Sequence, residues 1–230
     1  NFSKHEFKGP DARKFLDHIM AGRLPKPGRI SLSPMLSYRG KLCGDLTVAC
    51  LDENEFMVFG SGAAQEMHRR WFESHLDKFN LSYSNRSDEY HGLSIAGPNS
   101  RKVLEKIVRD DVSNEKFKFR DSRRMFVGGV PAIINRISFT GELGYEIYVA
   151  PHYQLKLYEE LMEAGKEFNI KPFGGRALMS MRLEKNWGAW TLDYRPDFTA
   201  KETGLDAFIN WDKEFIGKES AQKENSSNKL

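Results

Sequence analysis

Apolar and polar positions recur with two different periods along this chain, and the switches between them mark its elements. Residues Asp45–Leu51 and Glu55–Phe59 read as strands around a turn at Asp52–Asn54, and Ala63–Leu76 takes helical spacing. The same order returns as strand Ala132–Phe139, turn Thr140–Leu143, strand Tyr145–Val149 and helix His152–Phe168. A further helix is predicted from Gly175 to Lys185.

A short motif ties the two series together. FKGPDARKFLDHI begins at Phe7 and IAGPNSRKVLEKI begins at Ile95, an offset of 88 residues. Each is a strand stopped by Gly-Pro, then a polar cap (Asp11, Asn99), then an amphipathic helix. The pattern predicts an α+β fold made of two pseudo-repeated β-α-β-β-α halves. Each is an antiparallel sheet with helices on one face, and the two surround a central cleft. Residues 1–88 form the first half and 89–170 the second. Residues 171–230 supply a helix and an aromatic loop that closes the cleft. In that loop Trp187, Trp190 and Tyr194 either stack on a ligand or seal the core.

Composition narrows the function classes. A net charge of +3, with Lys and Arg interspersed among Asp and Glu, gives no basic face for nucleic acid. No apolar run approaches the ~20 residues of a membrane span. Cys43 and Cys50 lie seven residues apart in one predicted strand, so they point to opposite faces and suit a reducing compartment. The six histidines show no metal-ligand spacing. His68 and His75 share one face of a predicted helix and read as surface. Neither a dinucleotide fingerprint nor a phosphate loop is present.

The chemistry-bearing stretch is Ser138–Lys185. It holds a Gly-rich turn with Glu142 and Glu146, a strand, a helix, then a Gly pair beside Arg176 and Arg182. Acids and bases at the ends of rigid elements, near glycines that admit a ligand, suit a flat polar heterocycle.

The segments GELGYEIYV, GGRAL, MRLEK, ETGL and FIGKE resemble the aminomethyltransferase (glycine cleavage T protein) superfamily. Among its members the likeness is nearest to the folate-binding portion of dimethylglycine and sarcosine dehydrogenases. It covers essentially the whole chain.

The resemblance implies a tetrahydrofolate site. Glu146 would accept from the pterin's amino-pyrimidine edge, and Arg176 would hold a carboxylate or pterin oxygen. Met35 would wall the ring, with Tyr145, Arg182 and Tyr194 completing the site. It further implies a one-carbon-transfer module that captures the product of a flavin demethylation as a methylene adduct. The FAD-binding domain would lie before residue 1, in cis or trans, and a closing β-barrel after about residue 220. The compartment would be bacterial cytoplasm or mitochondrial matrix. A stand-alone aminomethyl transferase and a non-catalytic scaffold are the alternatives. The family carries two consecutive Asp residues where this chain has Gly44 and Asp45. Asp45, the remaining candidate for proton transfer, is expected to point away from the family acid's direction unless a bulge re-aims it.

Overall fold

The computed structural model describes residues 2–227. These divide into two compact units, residues 2–87 with 188–227, and residues 88–187.

The first unit is a five-stranded sheet in the order β2-β3-β4-β1-β5. Its strands are β1 (Phe2–Lys8), β2 (Arg29–Leu36), β3 (Leu42–Asp52), β4 (Glu55–Ser61) and β5 (Ser82–Asn85), all paired antiparallel. Helices α1 (Ala12–Ile19) and α2 (Gln65–Glu73) cover one face. Phe7, Phe15, Leu16, Leu46, Val48, Phe56, Val58 and Phe72 form the core between them.

The second unit repeats the plan with four strands in the order β6-β9-β8-β7. These are β6 (His91–Ala96), β7 (Ser122–Val127), β8 (Val130–Asn135) and β9 (Gly144–Val149), with α3 (Ser100–Glu105) and α4 (Gln154–Gly165) on one face. Tyr145, Ile147 and Val149 of β9 meet Val103 and Leu104 of α3 and Leu157 and Leu161 of α4. Helix α5 (Gly175–Glu184) ends this unit, and the chain then returns to the first, where it finishes in α6 (Lys218–Ser227).

The α+β architecture and the repeat are as expected, with one more strand per half: β2 and β7 make each unit β-α-β-β-β-α, and the first adds β5. The two Gly-Pro glycines do the same job in both halves, taking φ of +136° at Gly9 and +125° at Gly97 to turn the chain from strand into helix. Asp11 and Asn99 stand at the N-cap positions, yet neither side chain caps its helix. Asp11 instead accepts from the Asn80 amide at 2.8 Å.

His68 departs from its surface reading and is 1% exposed. Its burial comes from two glycines on neighbouring strands. A Cβ added at Gly44 would stand 2.8 Å from His68 Nε2, and one at Gly60 would stand 3.0 Å from Nδ1. The imidazole thus occupies the room left by two missing side chains. Both cysteines are free, with Cys50 in the core and Cys43 partly buried against it.

Candidate functional site

Strand alternation divides β9 into two faces. Tyr145, Ile147 and Val149 face the helices, so Gly144, Glu146 and Tyr148 lie on the other side. Along this second face Tyr148 donates its hydroxyl to Glu146 Oε2 at 2.8 Å. The register sets Asn135 of β8 directly opposite Glu146, and Ile133 opposite Tyr148. Asn135 is fully buried. Its Oδ1 accepts from Ser122 at 2.7 Å, while its Nδ2 has no partner.

Burial pushes the Glu146 carboxyl up to about 7, against the pull of the Tyr148 hydroxyl and the Lys185 ammonium. Lys185 reaches this face through the turn that precedes β9. Its ammonium donates to the Ser138 carbonyl at 2.8 Å, and its stem lies along Gly141. Ser138 in turn packs on Gly144, two residues before Glu146 and on the same face. Burial lowers the Lys185 pKa while Glu146 raises it. The result is a carboxyl poised between protonation states, oriented by one phenol and held beside one cation. An unspent amide donor faces it from the adjoining strand. Such a row can take a planar ring that offers both donors and acceptors.

The other expected site residues fall in different places. Tyr145 lies in the helix-side core, stacks on Phe117 at 5.9 Å and bonds Arg101 at 3.2 Å, so it does not adjoin Glu146. Arg182 is buried and braces the chain after α5, donating to the Trp187 carbonyl at 2.8 Å. Arg176 is exposed on the first turn of α5.

In the first unit Met35 is a core residue paired with Gly44 across β2 and β3. Tyr194 is buried and packs on Gly188, whose amide donates to its hydroxyl at 3.1 Å. Asp45 alternates away from Gly44 and is partly buried, and burial pushes its carboxyl up to about 7. A bulge does interrupt the β2·β3 register, between Met35 and Leu36. Even so, Gly44 keeps the helix side under His68 and Asp45 the opposite side.

Tyr148, Asn135 and Lys185 escaped the sequence reading. Tyr148 carried a usable signal, because residues two apart on a strand share a face. Asn135 and Lys185 carried none, since only the register of β8 on β9 and the packing after α5 bring them in. Among the described residues no cluster of three His, Cys, Asp or Glu is placed to hold a metal, and no helix is long and apolar enough to cross a membrane.

Comparison with known proteins agrees with this architecture. The GCVT N-terminal domain family matches residues 1–213. Human mitochondrial dimethylglycine dehydrogenase is 37% identical over 227 residues, which cover 96% of this chain and 26% of that protein. The aminomethyltransferase of Thermoanaerobacter pseudethanolicus is 29% identical over 221 residues, 94% of this chain and 60% of that one. The chain therefore spans about a quarter of the first relative and three fifths of the second. In fold it is similar to the glycine cleavage system aminomethyltransferase T from Bartonella henselae, with a TM-score of 0.87 over 98% of this chain and 61% of that one, at 22% identity. It is more distantly similar to the heterotetrameric sarcosine oxidase from Corynebacterium sp. U-96, at a TM-score of 0.58 and 18% identity over 75% of this chain and 84% of that one. With its fold, its paired half-repeats and 213 matched residues in agreement, the chain belongs to the GCVT N-terminal domain family, an aminomethyltransferase-type domain related to both dimethylglycine dehydrogenases and aminomethyltransferases.

Proposed function

We propose that this chain is the tetrahydrofolate-binding, one-carbon-transfer module of a dimethylglycine- or sarcosine-dehydrogenase-like flavoenzyme, with Glu146 as its principal folate ligand. The supporting observation is the face of β9. A pterin's amino-pyrimidine edge carries neighbouring N–H donors and needs a carboxylate. Glu146 has its Oε2 bonded to Tyr148 and retains acceptor capacity. A pterin also carries acceptors, and the Asn135 Nδ2 is a buried donor without one. The residues present therefore fit the ligand. The higher identity to dimethylglycine dehydrogenase, 37% against 29%, favours the flavoenzyme-linked reading over a stand-alone transferase.

When bound, the folate supplies the amine nitrogens that accept the one-carbon unit. This chain's own residues bind and orient it. Glu146 fixes the ring's hydrogen-bonding edge, Tyr148 fixes the carboxyl, and Lys185 pins the turn from which β9 starts. Arg176, exposed on α5, is proposed for the ligand's negative charge. Asp45, whose carboxyl exchanges protons near neutrality, is proposed for proton transfer. The flavin chemistry is proposed to belong to a dehydrogenase domain in cis or trans, in a bacterial cytoplasm or mitochondrial matrix.

Calorimetric titration with tetrahydrofolate under reducing conditions tests the reading. Saturable binding by the parent chain is expected. Glu146→Gln, which keeps the shape and removes the charge, is expected to lose ~1.5–3 kcal/mol of it, about 10- to 150-fold. Equal binding by parent and variant would refute the assignment of Glu146.

A further inference from the structure

The half-repeat sets one arginine against one aromatic side chain in both units, and the two copies differ in how their charge is met. In the first unit Arg13, from the Gly-Pro motif, lies 5.0 Å over the ring of Phe56. Its Nη2 is spent on the Pro25 carbonyl at 3.1 Å and on Cys50 Sγ at 3.4 Å. Phe56 pairs with Phe7, just as Tyr145 pairs with Ile95 in the second unit, so Tyr145 is its counterpart. Arg101, the counterpart of Arg13, bonds the Tyr145 hydroxyl through Nε at 3.2 Å, and its Nη2 is buried without a partner.

A second guanidinium reaches the same aromatic pair. Arg136, just past β8, is 8% exposed and bonds the carbonyl of Phe117, whose ring stacks on Tyr145 at 5.9 Å; Arg101 and Tyr145 both act on its charge. It donates to the Phe117 carbonyl and to Asn114 Oδ1, which leaves its buried Nε unpartnered. No carboxylate among the described residues bonds either guanidinium. Asp121, the acid that acts on Arg136, accepts from the Lys118 amide at 2.7 Å and from Arg123 at 3.3 Å. Two guanidiniums without a paired anion, one of them buried, are costly, and their forked donors match an oxyanion.

We propose that Arg101 and Arg136, with the Tyr145 hydroxyl that Arg101 bonds, form a binding site for a small oxyanion on the helix side of the second sheet, on the opposite face from Glu146. The proposal does not depend on folate.

Inorganic phosphate and acetate are titrated separately into the 230-residue chain at ionic strength matched with chloride, following melting temperature and heat of binding. A saturable rise with phosphate alone assigns a phosphate-type ligand, and one with acetate a carboxylate. Arg101→Gln is expected to weaken that binding at least tenfold, while Arg13→Gln leaves it unchanged. Arg136→Gln removes a buried residue. Should it fail to fold, Arg101→Gln, at a partly exposed helical position, carries the test. Identical responses to phosphate, acetate and chloride, or an Arg101→Gln protein that titrates like the parent, overturn the site.

Discussion

Replacing Tyr148 with Phe removes one hydroxyl and keeps the ring, and it isolates what holds Glu146 ready to accept. Burial disfavours the charged carboxylate and pushes its pKa up to about 7, while the Tyr148 bond works in the opposite direction. A hydrogen bond to a charged group contributes about 1.5–3 kcal/mol. Tyr148 also helps when Glu146 is protonated, so the low end applies, and ~1.5 kcal/mol corresponds to about one pH unit. The midpoint is therefore expected to move from about 7 to ~8 in Tyr148→Phe. At pH 7 the ionised fraction drops from about one half to about one tenth. Folate affinity should fall about fivefold at that pH and much less above pH ~9, where both proteins are ionised. The carboxyl carbon of Glu146, followed by NMR across pH without folate, reads the midpoint directly, and calorimetry at two pH values reads its consequence. A Tyr148→Phe midpoint equal to or below that of the parent would refute the claim that this hydroxyl holds the carboxylate.

Three further predictions rest on the same groups. Lys185→Met removes a cation that reaches solvent, so a smaller shift follows, ~1 kcal/mol or about 0.7 pH unit upward at Glu146; the same NMR titration checks it. Asp45→Asn isolates a carboxyl whose folded pKa is raised from 3.8 to about 7. Because the folded state then binds a proton the unfolded chain has released, the parent loses stability as pH rises from about 4 to about 7, and the variant does not. In urea titrations Asn should therefore match Asp near pH 4 and exceed it above pH 7, on the order of 2 kcal/mol after allowance for part exposure. Gly44→Asp is expected to cost ~2–3 kcal/mol, since its Cβ would meet His68 Nε2 at 2.8 Å, and His68→Ala in the same protein should recover part of that loss.

Sequence reading succeeded where one local rule decides the outcome. Gly-Pro followed by a helical run fixed both half-repeats, and the alternation around Glu146 put that residue on a strand. It failed where burial comes from distant partners. Strand β2 was missed because it is buried along most of its length and carries Pro34, so no two-residue period shows. His68 looked like half of a polar surface pair because the glycines that admit it stand on β3 and β4. Tyr145 and Glu146 were grouped as one site though they are adjacent on a strand, and adjacency there means opposite faces. The two side chains point to opposite faces, Tyr145 bonded to Arg101 and Glu146 to Tyr148.

The departure at Gly44 also acquires a physical meaning. Gly44, which the resemblance sets at the family's first Asp, faces His68, which is held neutral, its pKa lowered to about 4 by burial. Its Nε2–H donates to the Cys43 carbonyl at 3.0 Å, and the ring fills the space a side chain at Gly44 would need. Gly44 and His68 thus make this position core in the first unit, while in the second the Glu146 carboxyl stands on the sheet's other face, its pKa pushed up to about 7 by burial. On the proposed reading Glu146 acts through positioning and charge complementarity, because an oriented carboxylate in a partly desolvated row is worth more to a bound heterocycle than the same group in water.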